Sequence, residues 1–164
     1  PGATVRIGCG DRQASVANAL AVLDDDIETV LVHDAARPLV PVSLVESVVE
    51  AVRSGAVAVV PGLPVTDTVK RIDELHGLDV VTETLDRSVL RSVQTPQGFD
   101  RAVLEAAHAA ADPTDPATDD AGLVERAGHL IRVVGGDEEA FKVTRPLDLL
   151  LAEAVLARRR AVQG

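Results

Sequence analysis

Apolar residues along this chain follow two alternating rhythms. Thr29 to His33 is a short, β-branched apolar run ending in His33-Asp34, and Ala56 to Val60 is another, stopped by Pro61 and Pro64. Short apolar runs bounded this way read as buried strands of a parallel sheet. Thr4 to Ile7 and Leu130 to Val134 read as strands too. Between the runs the spacing becomes helical. Arg12 to Leu23 puts Val16, Leu20 and Leu23 on one face. Ser43 to Ser54 is predicted as a helix in which Ser43 and Glu46 form a capping box, with Gly55 just past the end. Further helices are predicted over Arg101 to Ala111, over Asp119 to Ala127 with Thr118 as N-cap, and from Pro146 to about Ala161. Val65 to Arg71 and Val80 to Thr84 alternate instead, on either side of a polar stretch containing Gly77. That pattern predicts a protruding β-arm over about 65–87. Strands alternating with helices imply an α/β fold, a three-layer sandwich with a mostly parallel sheet, in a single domain over 1–164. Ligands on such sheets gather at the carboxyl ends of the strands.

Composition narrows the function classes. The chain has 164 residues, 46% of them apolar, so one domain can build a real core. Phe99 and Phe141 are the only aromatics, which makes that core aliphatic. A formal net charge of −10 repels a polyanion and argues against nucleic-acid binding. A small phosphate ester needs only a local pocket of Arg, Lys and backbone N–H groups. Cys9 is the single cysteine, so no internal disulfide is available, which suits a reducing cytosol. No signal peptide and no membrane-spanning apolar run is visible.

Six segments carry candidate chemistry. Gly8-Cys9-Gly10-Asp11-Arg12, with Ser15 one turn on, is a Gly-containing loop entering a helix. It suits a ligand approaching the backbone, or a plain strand–helix turn capped by Asp11. His33-Asp34-Ala35-Ala36-Arg37-Pro38 places a carboxylate and a guanidinium three residues apart after a buried strand, with small residues between. Asp34 can accept bonds from a sugar hydroxyl, and Arg37 can clamp a phosphate, or the two can pair and shape the turn. Val65 to Arg71, followed by Thr84-Leu85-Asp86-Arg87, offers threonines and cations on the arm, equally readable as a solvated hairpin face. Gln94-Thr95-Pro96-Gln97-Gly98-Phe99 reads as a rigid turn, and Thr118-Asp119-Asp120-Ala121 as a capped helix start. Phe141-Lys142-Val143-Thr144-Arg145-Pro146 puts a lysine in an apolar stretch before a helix. The four histidines lack zinc spacing, and no metal-ligating residue is assigned.

In this order the segments resemble the 2-C-methyl-D-erythritol 4-phosphate cytidylyltransferase family, through Gly10-Asp11-Arg12 with Ser15, His33 to Pro38, Pro64 to Lys70, Asp86-Arg87, Thr95-Pro96-Gln97, Thr118 to Ala121 and Lys142 to Pro146. The resemblance implies a nucleotide-diphospho-sugar transferase-like fold. It implies transfer of a cytidylyl group from CTP to methylerythritol phosphate with Mg²⁺, in isoprenoid precursor biosynthesis in the cytoplasm. Gly10, Asp11, Arg12, Ser15 and Ala35 would face the nucleotide. Asp34, Arg37, Thr68, Thr95 and Thr118 would face the acceptor, and Arg87 and Lys142 would be catalytic. The arm would cross to a second subunit, so that a homodimer is the working unit and Arg87 serves the partner's site. A Gly-rich triphosphate loop that opens the family does not precede Pro1, so this chain by itself is expected to be inactive or weak. The alternatives are transfer to another polyol phosphate such as ribitol 5-phosphate, and a non-catalytic dimerising remnant.

Overall fold

The computed structural model describes residues 12–112, 114–115 and 117–163. The reading of Thr4 to Ile7 as a strand therefore lies outside the described residues. Helix α1 spans Arg12–Leu20, strand β1 Thr29–Val32, helix α2 Val42–Arg53 and strand β2 Ala58–Pro64. Strands β3 (Lys70–Leu75) and β4 (Leu78–Thr84) follow, then β5 (Arg91–Val93) and β6 (Gln97–Asp100). Helices α3 (Arg101–Ala109) and α4 (Asp120–Arg126), strand β7 (Arg132–Gly135) and helix α5 (Pro146–Gln163) complete the order.

The period of two along β2 sorts the core into layers. Ala58 and Val60 point into a cluster with Leu20 of α1, Phe99, Leu104 of α3 and Val124 of α4. Val59 points the other way, against Val48, Ala51 and Val52 of α2. Helices thus cover both faces of the sheet, as the α/β reading expected. The sheet itself is mixed rather than mostly parallel. β2 pairs in parallel with β7, but β6 lies antiparallel between β1 and β2, and β5 pairs antiparallel with the far end of β2. Val59 pairs with Gly98 of β6 and also with Arg132 of β7, so β2 is central. The turn-like composition of Gln94 to Phe99 concealed β6. Its glycine is there for packing: a Cβ on Gly98 would lie 2.5 Å from Val48 Cγ1 and 3.0 Å from Val52 Cγ2.

Two further local expectations change. β2 runs through Pro61 and ends at Pro64. Pro61 has no N–H to give, yet its carbonyl accepts from the Gln94 N–H at 2.8 Å. Helix α2 begins one residue early, capped by Pro41 without a side-chain bond, so Ser43 sits inside the first turn and the capping box does not form. Gly55 does close that helix, at φ +101°.

β3 and β4 form a separate antiparallel pair, the expected arm. It leaves and rejoins the main sheet where Pro64 of β2 faces Arg91 of β5. Helix α5 is tethered by ion pairs from Arg158 and Arg159 to Glu139 and by Arg159 Nη2 donating to the Leu39 carbonyl at 2.7 Å. Among the described residues, no helix is long and apolar enough to cross a membrane.

Candidate active site

The loop after β1 is the centre of the site. The Arg37 N–H donates to the Asp34 carbonyl at 2.9 Å and closes the turn. The Asp34 carboxylate lies 3.1 Å from Lys142 Nζ and 3.5 Å from Arg37 Nε. Lys142 comes from a segment far along the chain, docked here because the Val143 N–H donates to the Ala36 carbonyl at 2.8 Å. Arg37 Nη1 donates to the Ala140 carbonyl at 2.7 Å, so the guanidinium anchors that segment as well. Partial burial pulls the Asp34 carboxyl upward. The hydrogen bond and charge of Lys142, then the charges of Arg37 and Arg12, outweigh it and hold the group below its ordinary value.

The Gln94-Thr95-Pro96-Gln97 segment supplies the braces. The Thr95–Pro96 peptide is cis. Gln94 donates from Nε2 to the Asp137 carbonyl at 2.8 Å and accepts the Asp137 N–H at 2.9 Å. Gln97 donates from Nε2 to Asp119 Oδ2 at 2.6 Å and accepts the Ala121 N–H at 3.2 Å. Both glutamines are buried, and buried amides need such partners. Through them one strand turn fixes the loop before Lys142 and the start of α4. That helix is capped by Asp119, which accepts the Gly122 N–H at 2.8 Å, and not by Thr118 as expected. Freed from capping, Thr118 lines the cleft.

Two connected depressions result. A polar cleft of about 250 Å³ is lined by Arg12, Asp34, Arg37, Thr95, Thr118 and Lys142. A larger groove of about 460 Å³ beside β1 has an aliphatic wall, with Arg12, Ser15, His33, Asp34 and Ala35 at its polar end. Arg12 and Asp34 belong to both. Ser15 and Ala35 line only the groove, and Arg37, Thr95, Thr118 and Lys142 only the polar cleft. Thr68 and Arg87 line neither hollow. Both are exposed near the root of the arm, where Arg87 donates to the Thr66 carbonyl. Gly10 and Asp11 lie outside the described residues.

Sequence reasoning missed a buried ion network under the site. Asp120, wholly buried in the first turn of α4, accepts from Arg12 Nη2 at 2.5 Å and His108 Nε2 at 2.9 Å. Burial pulls its carboxyl upward, but the His108 bond and the Arg12 charge more than offset that and leave it below its ordinary value. The only signal was the doubled acid, Asp119-Asp120, of which a single residue suffices for capping.

An α/β sandwich with Arg12, Arg37 and Lys142 gathered around an acid at the strand ends suits a phosphate ester, and with its structural neighbours it is consistent with the nucleotide-diphospho-sugar transferase-like class. The particular family follows from comparison with known proteins. The family model for 2-C-methyl-D-erythritol 4-phosphate cytidylyltransferase (IspD) matches residues 2–158, and the chain belongs to that family. The enzyme of that name from Streptomyces avermitilis is 57% identical over 160 residues, covering 96% of this chain and 63% of the relative. That from Streptomyces coelicolor is 56% identical, covering 93% of this chain and 57% of the relative. The chain therefore spans roughly three fifths of the length of these curated relatives. The crystal structure of the Thermus thermophilus enzyme superimposes with a TM-score of 0.78 at 44% identity, covering 90% of this chain and 70% of that one.

Proposed function

We propose that this chain carries the acceptor side and part of the nucleotide side of a cytidylyltransferase that converts CTP and 2-C-methyl-D-erythritol 4-phosphate into a CDP-alcohol and pyrophosphate, for isoprenoid precursor biosynthesis. A phosphate oxygen of the acceptor attacks the α-phosphorus of CTP. One P–O bond forms, the α–β bridging P–O bond breaks, and pyrophosphate leaves with the electron pair. Such a transfer asks the protein for positioning and for cancellation of negative charge rather than covalent help. The observation that carries this reading is the meeting of Asp34, Thr95 and Lys142, from three separate segments, in one cleft beside an apolar groove. Lys142 supplies a point charge for the acceptor phosphate, and Arg37 holds the lysine's segment in place.

Among the described residues, no three His, Cys, Asp or Glu side chains gather to hold a cation. In this reading Mg²⁺ enters with the triphosphate as a metal–nucleotide substrate. The arm serves a homodimer, and Arg87 reaches the partner's acceptor. Its exposed Ile72, Leu75, Leu78 and Val81 support a protein-covered surface. The lone Cys9 suits a cytoplasmic setting.

The test is pyrophosphate release by the gene product that carries this chain, given CTP, Mg²⁺ and either methylerythritol phosphate or ribitol 5-phosphate. Turnover with the first acceptor is expected, at least about ten-fold above the second. Lys142→Ala should lower it by about 10²- to 10³-fold, the scale of losing one preorganised charge contact. No turnover with either acceptor, or an undiminished Lys142→Ala rate, would refute the reading.

A further inference from the structure

Three hydrogen bonds beside Asp34 form a chain, which has one self-consistent direction when the His33 ring carries a single hydrogen. His33 Nε2 lies 3.1 Å from the Arg37 carbonyl oxygen, and His33 Nδ1 lies 3.0 Å from Thr95 Oγ1. The Asp34 N–H donates to that same Thr95 oxygen at 3.0 Å. A carbonyl can only accept, so the ring's Nε2 carries the hydrogen. A neutral imidazole has one N–H, which leaves Nδ1 bare. A bare nitrogen can only accept, so the Thr95 hydroxyl hydrogen points at His33. The hydroxyl oxygen in turn receives the Asp34 amide. Thr95 is 6% exposed, and in that chain its one hydrogen is committed to His33.

We propose that His33, with its single ring hydrogen on Nε2, and Thr95 are positioning residues for Asp34, acting through this one-way chain, and that Thr95 donates no hydrogen bond to a bound phosphate. The ends of the chain, Asp34 and Arg37, are two residues whose charges line the polar cleft. The ring therefore fixes the backbone at both ends of the turn at once, and the threonine relays that constraint to the amide of the residue that contacts Lys142. This redefines Thr95, which sequence reasoning placed against the substrate. A phosphate oxygen arriving at the cleft is an acceptor, and the Thr95 side chain has nothing to give it. His33 had attracted no role, since a histidine closing a strand is ordinary. Its value depends on Thr95, sixty-two positions away in sequence.

The inference rests on the acceptor-site reading for its consequence in binding, but its hydrogen-bond content can be read without any ligand. A long-range ¹H–¹⁵N spectrum of the whole protein near neutral pH should show His33 with a protonated Nε2 and a bare, hydrogen-bonded Nδ1. Thr95→Val should shift that Nδ1 signal and the Asp34 amide, and Thr95→Ser should recover both. The KM for methylerythritol phosphate, with CTP and Mg²⁺ present, should rise about ten-fold in Thr95→Val and in His33→Phe. The double variant should show no larger a rise than either single one, because both cut the same chain. A wild-type ring protonated at Nδ1 overturns the proposal, and that spectrum needs no variant to fold. Fully additive losses in the double variant overturn it too, as does a His33→Phe protein with the wild-type KM. Failure to turn over methylerythritol phosphate at all, with the tautomer as expected, would instead sink the acceptor-site reading and leave the hydrogen-bond chain standing.

Discussion

Replacing Asp120 with alanine tests the buried network most directly. The carboxylate is fully buried and holds two partners that cannot find each other without it. His108 is 5% exposed, and its bond to a charged acceptor contributes about 2 kcal/mol. The other ring nitrogen, Nδ1, is buried without a partner among the described residues, so water offers no easy substitute for Nε2. The Arg12 side chain is 43% exposed, and solvent screening reduces its share to about 1 kcal/mol. The expected loss is about 3 kcal/mol, near the lower end for breaking a buried charged pair. For a domain of this size that lowers Tm by roughly 6–12 °C. Asp120→Asn should lose less, about 1–2 kcal/mol, because the amide oxygen can still accept from His108 while its NH₂ faces the guanidinium. Urea unfolding is best followed by far-UV circular dichroism, since the chain contains no Trp and no Tyr to report by fluorescence. An Asp120→Ala protein within about 0.5 kcal/mol of wild type would refute this account, placing the carboxylate's partners in water rather than in the core.

Gly98→Ala should destabilise by about 1–3 kcal/mol, because the new methyl would meet stiff, β-branched Val48 and Val52 of α2. An unchanged urea midpoint would mean that α2 can retreat freely. Acid sensitivity should follow from Asp34 and Asp120, both held below an ordinary value of 3.8. A carboxyl depressed in the folded state contributes stability that is complete above its unfolded pKa and is lost as pH falls through the folded value. Stability should therefore hold level from neutral pH to about pH 4 and fall below it, with a shallower fall in Asp34→Asn, and equal acid slopes in the two proteins would contradict this.

The helices were readable from the chain because their signals are local. Gly55, Pro146 and the apolar spacing of α3 depend on residues within a turn or two of each other. The sheet was less readable, because pairing is decided by distant partners. β6 carries a proline before it and a glycine within it, features of a turn, yet the glycine serves the close approach of α2 to the sheet. β2 continued through Pro61, which still faces Val134 of β7, and ended only at Pro64. The polar residues around the cleft were visible as motifs, but their division of labour was not. Gln94 and Gln97 read as polar residues of a rigid turn and are structural struts. Thr118 looked like a cap, and Asp119 took that task. His108 and His33 were silent and Asp120 showed only as the second of two acids, since nothing in their own neighbourhoods says what they will meet.

The facing of Pro64 and Arg91 at the root of the arm has an architectural consequence. Residues 65–90 leave and return through a doorway one strand spacing wide, about 5 Å. The whole excursion is thus a detachable module: a tight reverse turn could bridge the doorway and leave the register of β2 with β5 and β7 untouched. A change in its length would therefore be felt at Thr68 and Arg87, which it carries, and not in the interior of the molecule.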